Sequence, residues 1–273
     1  MAQEYVKIRA TNPDGATANI TEFCRSISWG GDWRNAARTL SYAQVVNQDD
    51  LRLPRAPTEL GGERLMDAYA LERTRDSLGN TIDVTAYDRG LYKIVMTLYT
   101  LAADQTGKEY RLRFRGPKLE VVELAVSEYT IRLKPGSNLL SCVTKESASS
   151  MTNSVAIYDE QCREVSRQED SAAVALYGLM RQAIKAGSCD DPEGRAKKLL
   201  KENGLKTTIT ATALGNTKLV TGNTVALEEP VTGTSGLFWI QSDSHTWQRG
   251  VYRTKMPLSL ERLMDRQEAG GCR

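Results

Sequence analysis

Residues 19–46 read NITEFCRSISWGGDWRNAARTLSYAQVV, and this segment decides the fold prediction. Apolar residues alternate with small polar ones on both sides of a glycine pair, which is the period of a β-strand with one buried face. The apolar set comprises Phe23, Ile27, Trp29, Leu40, Tyr42 and Val46. Gly30-Gly31 interrupts the first run, and glycine inside a strand pattern favours a bend or a bulge. We therefore predict two long strands that meet at a glycine corner, as in a curved sheet or a barrel.

The composition predicts a globular protein without a strong electrostatic preference for any partner. The 273 residues suffice for one large domain or for two to three small ones. Lys and Arg total 36 against 34 acidic residues, so the net charge of +2 favours neither nucleic acid nor an anionic membrane. No apolar run reaches the roughly 20 residues of a bilayer span, and residues 1–9 lack the apolar core of a signal peptide. We therefore expect folding in the cytoplasm, no membrane anchor and no specific nucleic-acid partner.

The first half of the chain carries mainly strand signals. Strands are predicted at residues 4–9, 65–75, 81–87, 109–114, 118–122, 129–133, 138–144 and 154–158, with turn residues at 12–15, 76–80 and 116–117. Residues 49–58 contain Pro54 and Pro57, which are unsuited to a sheet interior, so this segment is predicted to be an extended contact arm. Apolar spacings of three and four predict a helix over 94–102 that ends near Gly107.

The second half begins with a helical segment and returns to strands. A wide apolar stripe predicts a helix over 171–185. Asp191-Pro192 supplies the cap and first-turn proline of another helix, which ends at Asn203-Gly204. Strands are predicted at 206–214, 218–227, 237–246 and 251–260. Four strands with short glycine turns indicate a second antiparallel barrel or sandwich, followed by a polar tail.

No residue set predicts a catalytic, cofactor or metal site. The five cysteines show no CxxC spacing, which favours free thiols. His245 is the only histidine, which argues against a histidine metal centre and a Ser-His-Asp triad. The carboxylate pairs Asp49-Asp50 and Glu228-Glu229 could bind calcium or could simply be solvated in loops. We therefore assign no catalytic residue, no cofactor and no metal ligand, and we expect no enzymatic activity.

Two other groups could hold a ligand. Trp239 and Trp247 flank Asp243 and His245, and such aromatic residues either stack on a sugar ring or a base or belong to the core or a subunit interface. The residues Thr207, Thr208, Thr210 and Thr212 could form a sugar-binding or ice-binding ladder. Threonine is also a good strand former on a half-exposed face. Both alternatives remain open for each group.

Five segments together carry a family resemblance. They are SISWGGDWRNAARTLSY at 26–42, NTIDVTAYDRGLY at 80–92, LYTLAADQTGKEY at 98–110, GNTKLVTGNTV at 215–225 and GLFWIQSDSHTWQRGVYRTKMPLSL at 236–260. This set resembles the XkdQ/YqbQ-type baseplate hub proteins of PBSX-like contractile tails, which are related to the late control D proteins of tailed phages. The resemblance covers nearly the whole chain. None of the segments is a catalytic signature, so the resemblance is to a scaffold.

The resemblance implies a mainly β fold with α+β parts. Two tail-tube-like antiparallel β-barrel domains, 1–92 and 205–273, would flank an α/β middle region, 93–160, and a helical linker unit, 161–204. It also implies a homotrimeric hub that joins the six-fold tail tube to the three-fold central spike of a phage or tailocin. The implied partners are the tail tube or tube-initiator protein, the central spike protein, baseplate wedge proteins and the tape measure protein. The particle would be assembled in the bacterial cytoplasm and then be extracellular.

The alternative function is a cell-envelope protein that binds glycans or degrades peptidoglycan, since some hub proteins carry lytic domains. A lytic domain needs a Glu/Asp pair in a cleft or a Cys/His pair, and neither is recognisable in this sequence. The adaptor is therefore the preferred prediction.

One junction departs from the family pattern. A further segment of some tens of residues normally separates the DRGLY motif from the LYTLA helix, whereas here Lys93 directly follows Tyr92. The predicted helix also lacks a Ser, Thr, Asp or Asn at its cap position. A natural deletion would explain this departure, but the missing cap favours a segment left out at this junction. We therefore predict that Tyr92 and Lys93 are not joined by a peptide bond.

Overall fold

The structure is a computed structural model that describes residues 6–11, 16–45, 55–60, 63–75, 81–87, 92–115, 118–124, 127–186, 191–262 and 264–267. It is mainly β with α+β parts, as predicted. The predicted turns at 12–15, 76–80 and 116–117 lie outside these residues. Within them, no helix combines the length and the apolar character needed to cross a membrane.

The strands and helices follow one another in this order: β1 Val6–Thr11, β2 Thr17–Asn19, β3 Cys24–Asp32, β4 Asn35–Val45, β5 Arg55–Leu60, β6 Glu63–Arg75, β7 Thr81–Tyr87, α1 Tyr92–Thr106, β8 Tyr110–Arg115, β9 Lys118–Glu123, β10 Thr130–Leu133, β11 Leu139–Ser147, β12 Ser154–Tyr158, β13 Glu164–Glu169, α2 Ser171–Tyr177, β14 Arg181–Lys185, α3 Pro192–Glu202, β15 Lys206–Leu214, β16 Thr224–Glu229, β17 Thr234–Ile240, β18 Ser242–Gln248 and β19 Val251–Ser259.

One large sheet contains strands from both ends of the chain. Its order is β10-β16-β17-β19-β18-β3-β4-β7-β6-β5-β1-β2, and β15 pairs with both β19 and β11. The join is the antiparallel pairing of β18 with β3, which runs from Ser242 opposite Asp32 to Gln248 opposite Ser26. The strands assigned to two barrels are thus hydrogen-bonded to one another, and among the described residues no pair closes β10 onto β2.

Contacts group the residues into two compact units. The larger comprises Met1–Val143 and Thr210–Arg273, and the smaller comprises Thr144–Ile209. These units do not coincide with the four segments 1–92, 93–160, 161–204 and 205–273. The independence of those segments as domains stays a prediction.

β3 and β4 form the predicted pair of long strands but meet at a different place. The chain reverses between Asp32 and Asn35, whereas Gly30 and Gly31 lie inside β3. A register irregularity does occur between Gly30 and Asp32. A Cβ atom on Gly30 would lie 2.6 Å from the carbonyl oxygen of Asp243. The glycine therefore permits the close approach of β18 and does not form the corner.

The buried face of these two strands follows the predicted alternation with one exception. Ile27, Trp29, Leu40 and Tyr42 are buried. Phe23 is 56% exposed, because it belongs to a 3₁₀ turn before β3 and not to the strand itself. Val46 lies outside the described residues. Strand alternation thus identified the core face but not where the strand begins.

α1 confirms the predicted middle helix and corrects the predicted break. Tyr92 and Lys93 are its first two residues, so the chain is continuous at that junction and the prediction of a missing peptide bond is wrong. The Tyr92 hydroxyl donates a hydrogen bond to Asp265 Oδ2 at 2.9 Å. Met96 and Ala103, on α1, belong to one buried cluster with residues of β8 and the C-terminal segment. Tertiary contacts therefore hold the first turn.

Part of the predicted contact arm is a strand. Residues 55–58 belong to β5, which pairs with β1 on one side and with β6 on the other. Pro57 lies opposite Asp67, beside a register irregularity between Thr58 and Glu59. A proline is tolerated in a sheet at such an irregularity because its missing N–H need not leave a ladder bond open. Residues 49–54 lie outside the described residues.

The smaller unit is an α/β unit and not a purely helical one. Its sheet has the order β13-β12-β14, with β14 parallel to β12. The predicted helix over 171–185 is wrong beyond Tyr177, because Gly178 has a φ of 79° and residues 181–185 form β14. The apolar stripe was also predicted to be buried, yet Leu176 is 75% exposed and Leu179 is 55% exposed. α3 matches its prediction, and its Ala196 packs against β12 and β14.

The C-terminal strands are five and not the predicted four. Residues 218–223 precede β16 as turns, and the predicted strand over 237–246 is divided at Gln241 into β17 and β18. Gln241 donates from its backbone N–H to Pro257 O and accepts from Trp33 N, each at 3.0 Å. These two backbone hydrogen bonds fix the position of Gln241, where β17 ends and before β18 begins.

The cap of α3 provides a test of local stability. The Asp191 carboxylate accepts a hydrogen bond from Gly194 N at 3.0 Å. Asp191→Ala should lower the free energy of unfolding by about 1 kcal/mol, because it leaves a first-turn N–H without this acceptor. Asp191→Asn keeps an acceptor oxygen and should lower the free energy of unfolding much less. Urea denaturation followed by circular dichroism distinguishes them, and equal losses would contradict the capping role.

Candidate functional site

A buried ionic cluster lies where β3, β4 and β18 meet. Asp243, on β18, accepts from Arg38 Nη1 at 3.2 Å and also from Arg38 Nη2. It accepts further bonds from Thr221 N at 2.7 Å and Thr221 Oγ1 at 2.6 Å. A buried carboxylate is tolerated only when it is paired and hydrogen-bonded in this way. The cluster therefore fastens β18 and the turn before β16 to the N-terminal strand β4.

His245 lies beside this cluster and is fully buried. Its Nδ1 is 2.7 Å from the Tyr252 hydroxyl oxygen and 3.1 Å from Thr254 Oγ1. Its Nε2 is 3.2 Å from Asp243 Oδ2. Burial lowers the pKa of His245 and the Arg38 charge lowers it further, although the Asp243 carboxylate opposes both effects. We therefore expect a neutral imidazole at pH 7.

Asp243 is ionised by the opposite balance of effects. Burial alone would raise the pKa of its carboxyl, but the charge of Arg38 and the interactions with Arg38 and His245 hold that pKa well below its usual range. The Arg38 guanidinium also lies over the Trp29 ring, 3.7 Å from the centroid. An ionised pair that is stacked on the Trp29 ring is therefore the centre of the sheet junction.

The cluster contains acid and base side chains but offers no access to a substrate. The side chains of Asp243 and His245 both have zero exposure, so a glycan or a peptide cannot reach them. Trp247 stacks on Tyr252, with ring centroids 4.3 Å apart and planes at 12°. Trp239 lies elsewhere on β17, with Arg262 over its ring at 5.9 Å. For Asp243, His245 and Trp247, the structure favours the core alternative over ring stacking.

The threonine group lies on β15, as predicted. Ala211 and Ala213 of the same strand are buried, while Thr207 and Thr208 are exposed. The Thr208 hydroxyl donates to Lys145 O at 3.3 Å. This arrangement is the one expected of threonine on a half-exposed strand face.

The remaining candidates have ordinary partners. Glu228 pairs with Lys134 Nζ at 2.7 Å, and Glu229 accepts from Val231 N at 2.8 Å. Asp49-Asp50 lies outside the described residues. Within the described residues, no group of three or more potential metal-ligating side chains occurs. No disulfide involves Cys24, Cys142 or Cys162, and Cys189 and Cys272 lie outside the described residues.

Sequence reasoning missed Arg38 and Thr221. The position of Arg38 could have been noticed in the sequence. It lies on the same side of β4 as Ala36, Leu40 and Tyr42, which are buried. A charged residue in the apolar register of a strand indicates a buried counter-ion. Thr221 had no such signal, since it lies in a turn without a period.

The buried neutral histidine predicts a loss of stability in mild acid. Its folded pKa is below the ordinary value of about 6.5, so only the unfolded state takes up the proton readily as the pH falls below 6.5. The free energy of unfolding should be insensitive to this group above pH 6.5. Below that pH it should fall by up to about 1.4 kcal/mol per pH unit, until the folded pKa is reached.

Urea denaturation between pH 7.5 and pH 5 measures this effect. His245→Gln should flatten the profile in that range, because His245 is the only histidine of the chain. An unchanged slope in the variant would contradict the assignment.

Comparison with known proteins identifies the family. A family model described as YQBQ-like matches residues 73–261. The chain belongs to the YQBQ-like family. This result confirms the resemblance carried by the five sequence segments. No curated protein matches the sequence significantly.

Solved structures show that this YQBQ-like chain shares a fold with tail proteins. The 43 kDa tail protein of prophage MuSo2 from Shewanella oneidensis is 11% identical, with a TM-score of 0.61 over 94% of this chain and 98% of that one. A tail protein from Neisseria meningitidis MC58 is 11% identical, with a TM-score of 0.60 over 97% and 99%. A lidless PdpA–VgrG complex gives 8% identity and a TM-score of 0.50 over 98% and 66%.

The family match covers only part of the ionic cluster. Residues 73–261 include Thr221, Asp243 and His245, whereas Arg38 and Trp29 lie before the matched range. The fold similarity to the two tail proteins extends across both parts. The sheet junction of this YQBQ-like chain thus joins its family-matched strands to its N-terminal strands.

Proposed function

We propose that this chain is a structural protein of a phage-type tail and that it belongs to the baseplate. Membership of the YQBQ-like family supports this role, as does the fold shared with two tail proteins along almost their whole length. The observation that carries the proposal is the single sheet that includes strands from both ends of the chain. A continuous sheet with a buried ionic cluster at its centre is suited to a structural protein that transmits force within the tail.

The finer proposal is a homotrimeric hub between the six-fold tail tube and the three-fold central spike of a contractile tail. Each chain has two strand-rich parts, β1–β7 and β15–β19, so three chains would offer six similar faces to the tube and three to the spike. The tail tube or tube-initiator protein, the spike, the wedge proteins and the tape measure protein are the partners proposed on this basis. Assembly in the bacterial cytoplasm precedes release of the particle.

Measurement of the copy number tests this proposal. Native mass spectrometry at the protein concentration of the assembled particle should give a mass of three times the 30.2 kDa chain. Cryo-electron microscopy of the particle should show three copies at the end of the tube. A monomer at those concentrations, or a ring of six copies, would contradict the hub.

The same proposal predicts that the protein does not hydrolyse peptidoglycan. The acid and base side chains brought together in the cluster are sealed from solvent. Zymography with the purified chain should therefore show no clearing band. A band that disappears when one carboxylate is replaced would favour the alternative of a glycan-binding or peptidoglycan-degrading tail protein.

A further inference from the structure

Trp239, on β17, is a half-buried tryptophan that does not belong to the buried ionic cluster. At this residue β17 is paired on both sides, with Thr224 of β16 and with Ser259 of β19. Two neighbouring strands therefore hold the backbone of Trp239 in place. A side chain on a strand that is fixed in this way is positioned more precisely than one on a loop.

A cavity of about 660 Å³ opens beside Trp239. Its volume lies within the range of small-molecule sites, which is about 300–1,000 Å³. Arg262 lies 5.9 Å from the centroid of the Trp239 ring, which is close to the limit of about 6 Å for a cation–π contact. The stacked guanidinium in the ionic cluster lies much nearer, at 3.7 Å from the centroid of Trp29. Arg262 therefore leaves room for a ligand at the Trp239 ring.

The charged side chains around this cavity balance one another. Three are basic and three are acidic: Lys108, Arg262, Arg266, Glu109, Glu123 and Glu261. Lys108 pairs with Glu123 at 3.1 Å, and Arg266 pairs with Asp104 at 2.5 Å. An ionic ligand of either sign would meet repulsion as well as attraction in such a cavity. The lining therefore favours an uncharged ligand.

The same side chains combine hydrogen-bond donors with hydrogen-bond acceptors. Guanidinium and ammonium groups only donate, and ionised carboxylates only accept. A hydroxyl group does both, so a ligand with many hydroxyls can satisfy such a wall without a charge of its own. The C–H groups on one face of a sugar ring also pack against the negative face of an aromatic ring. A sugar therefore fits both the polar wall and the Trp239 ring.

A second tryptophan lies next to this cavity. Trp33 and Trp239 together line a smaller cavity of about 20 Å³, and Glu261 lines both cavities. The backbone N–H of Trp33 donates to Gln241 O at 3.0 Å, which fixes the turn between β3 and β4 beside the end of β17. Two tryptophans and one carboxylate are thus held together where the two cavities meet.

We propose that the cavity beside Trp239 binds an uncharged glycan, with one sugar ring on Trp239 and hydroxyl groups bonded to Glu261 and Arg262. Binding requires no cleavage of a glycosidic bond, so it agrees with the expected negative zymogram. The site follows from the cavity alone and does not depend on a role in a phage-type tail.

Isothermal titration calorimetry of the intact protein with neutral trisaccharides tests the site. The ligands are maltotriose, cellotriose and N,N′,N″-triacetylchitotriose. At least one of them should bind saturably, with a Kd of about 1 mM or tighter. This Kd should change less than about twofold between low and physiological ionic strength, because the ligand carries no charge. No saturable binding of any of them, or binding that weakens steeply with salt, would overturn the proposal.

Variants of Trp239 separate ring stacking from other changes of the cavity. Trp239→Leu should weaken binding at least about tenfold, whereas Trp239→Phe keeps an aromatic ring and should weaken it less than about threefold. Tyr129→Leu is the matched control, because Tyr129 also has a cation over its ring, Lys218 at 4.6 Å, but does not line the cavity. It should leave the Kd unchanged. A wild-type Kd for Trp239→Leu would overturn the proposal.

A variant of the exposed Glu261 keeps the test decisive if the Trp239 variants fold poorly. Glu261→Gln preserves the size of the side chain, so the thermal midpoint should equal that of the wild type. The Kd should rise about threefold or more, because a charge-assisted hydrogen bond to a hydroxyl becomes a neutral one. An unchanged Kd at an unchanged midpoint would contradict a glycan at this position.

Titration with trialanine and with single-stranded oligothymidine tests two other classes of ligand. Neither should bind saturably, because a peptide lacks the hydroxyls and the balanced lining does not attract phosphates. Saturable binding of either one, without binding of a trisaccharide, would show a peptide or nucleic-acid site and would overturn the proposal.

Discussion

Asp243→Ala should lower the free energy of unfolding by about 3–5 kcal/mol. Among the described residues, Asp243 is the only carboxylate that forms an ion pair with Arg38, so the substitution leaves the guanidinium over the Trp29 ring without a counter-ion. It also removes the acceptor of two hydrogen bonds from Thr221, one from the backbone and one from the hydroxyl. Urea denaturation at pH 7.5, followed by tryptophan fluorescence, measures the loss.

Two controls separate the buried charge from the general effect of losing a carboxylate. Glu228→Ala breaks a surface pair with Lys134 and should leave the urea midpoint almost unchanged, because water screens that pair. The double variant Arg38→Met with Asp243→Leu replaces the buried pair by apolar groups of similar size. It should recover the part of the loss that comes from the unpaired Arg38 charge, while the two hydrogen bonds from Thr221 stay lost. A small effect of Asp243→Ala, or a double variant worse than either single one, would contradict the pair as the centre of the sheet junction.

Local patterns in the sequence predicted most of the secondary structure. The alternation of Ile27, Trp29, Leu40 and Tyr42 identified the core face of β3 and β4. A strand with one buried and one solvent-exposed face shows apolar residues at every second position, so the sequence itself carries this signal. Asp191-Pro192 fixed the start of α3, because cap and first-turn residues act through neighbouring backbone atoms. Both signals are local, so they needed no knowledge of the fold.

Local patterns gave wrong predictions where a contact with a distant part of the chain decides the secondary structure. The apolar spacing of Leu176 and Leu179 suggested a long helix, but pairing of β14 with β12 and the positive φ of Gly178 stop it after Tyr177. Gly30-Gly31 was correctly marked as special. The sequence did not show that these glycines allow β18 to pack closely against β3, because β18 lies more than 200 positions further along the chain.

The candidate site shows the same division between local and long-range information. Asp243 and His245 stood out as unusual residue types within an aromatic segment. Their burial and their partner Arg38 depend on the register of β18 against β3, and 205 positions separate the two charged residues. The sequence therefore marked the cluster but left open whether it binds a ligand or supports the fold.

Gly30→Val should destabilise the protein by about 3 kcal/mol, because the new side chain would overlap backbone and not a flexible side chain. A Cβ atom at this position would lie 2.6 Å from Asp243 O and 3.5 Å from Ser244 Cα. Relief requires β18 to move away from β3, which breaks the pairing of Gly30 with Ser244 and of Gly31 with Asp243. Ser28→Val is the matched control, since it enlarges a residue of the same strand where a Cβ atom already fits, and it should change stability by less than about 1 kcal/mol.

The mechanism of this loss can be tested by coupling it to the ionic cluster. Moving the Asp243 backbone should also misplace its carboxylate, so part of the cost of Gly30→Val is expected to come from the weakened pair with Arg38. In the background of Arg38→Met with Asp243→Leu, Gly30→Val should therefore cost less than in the wild type, by about 1 kcal/mol or more. Urea denaturation of the four proteins of this cycle gives the coupling energy. Equal costs in the two backgrounds would show that the glycine only spaces the strands and does not position the buried carboxylate.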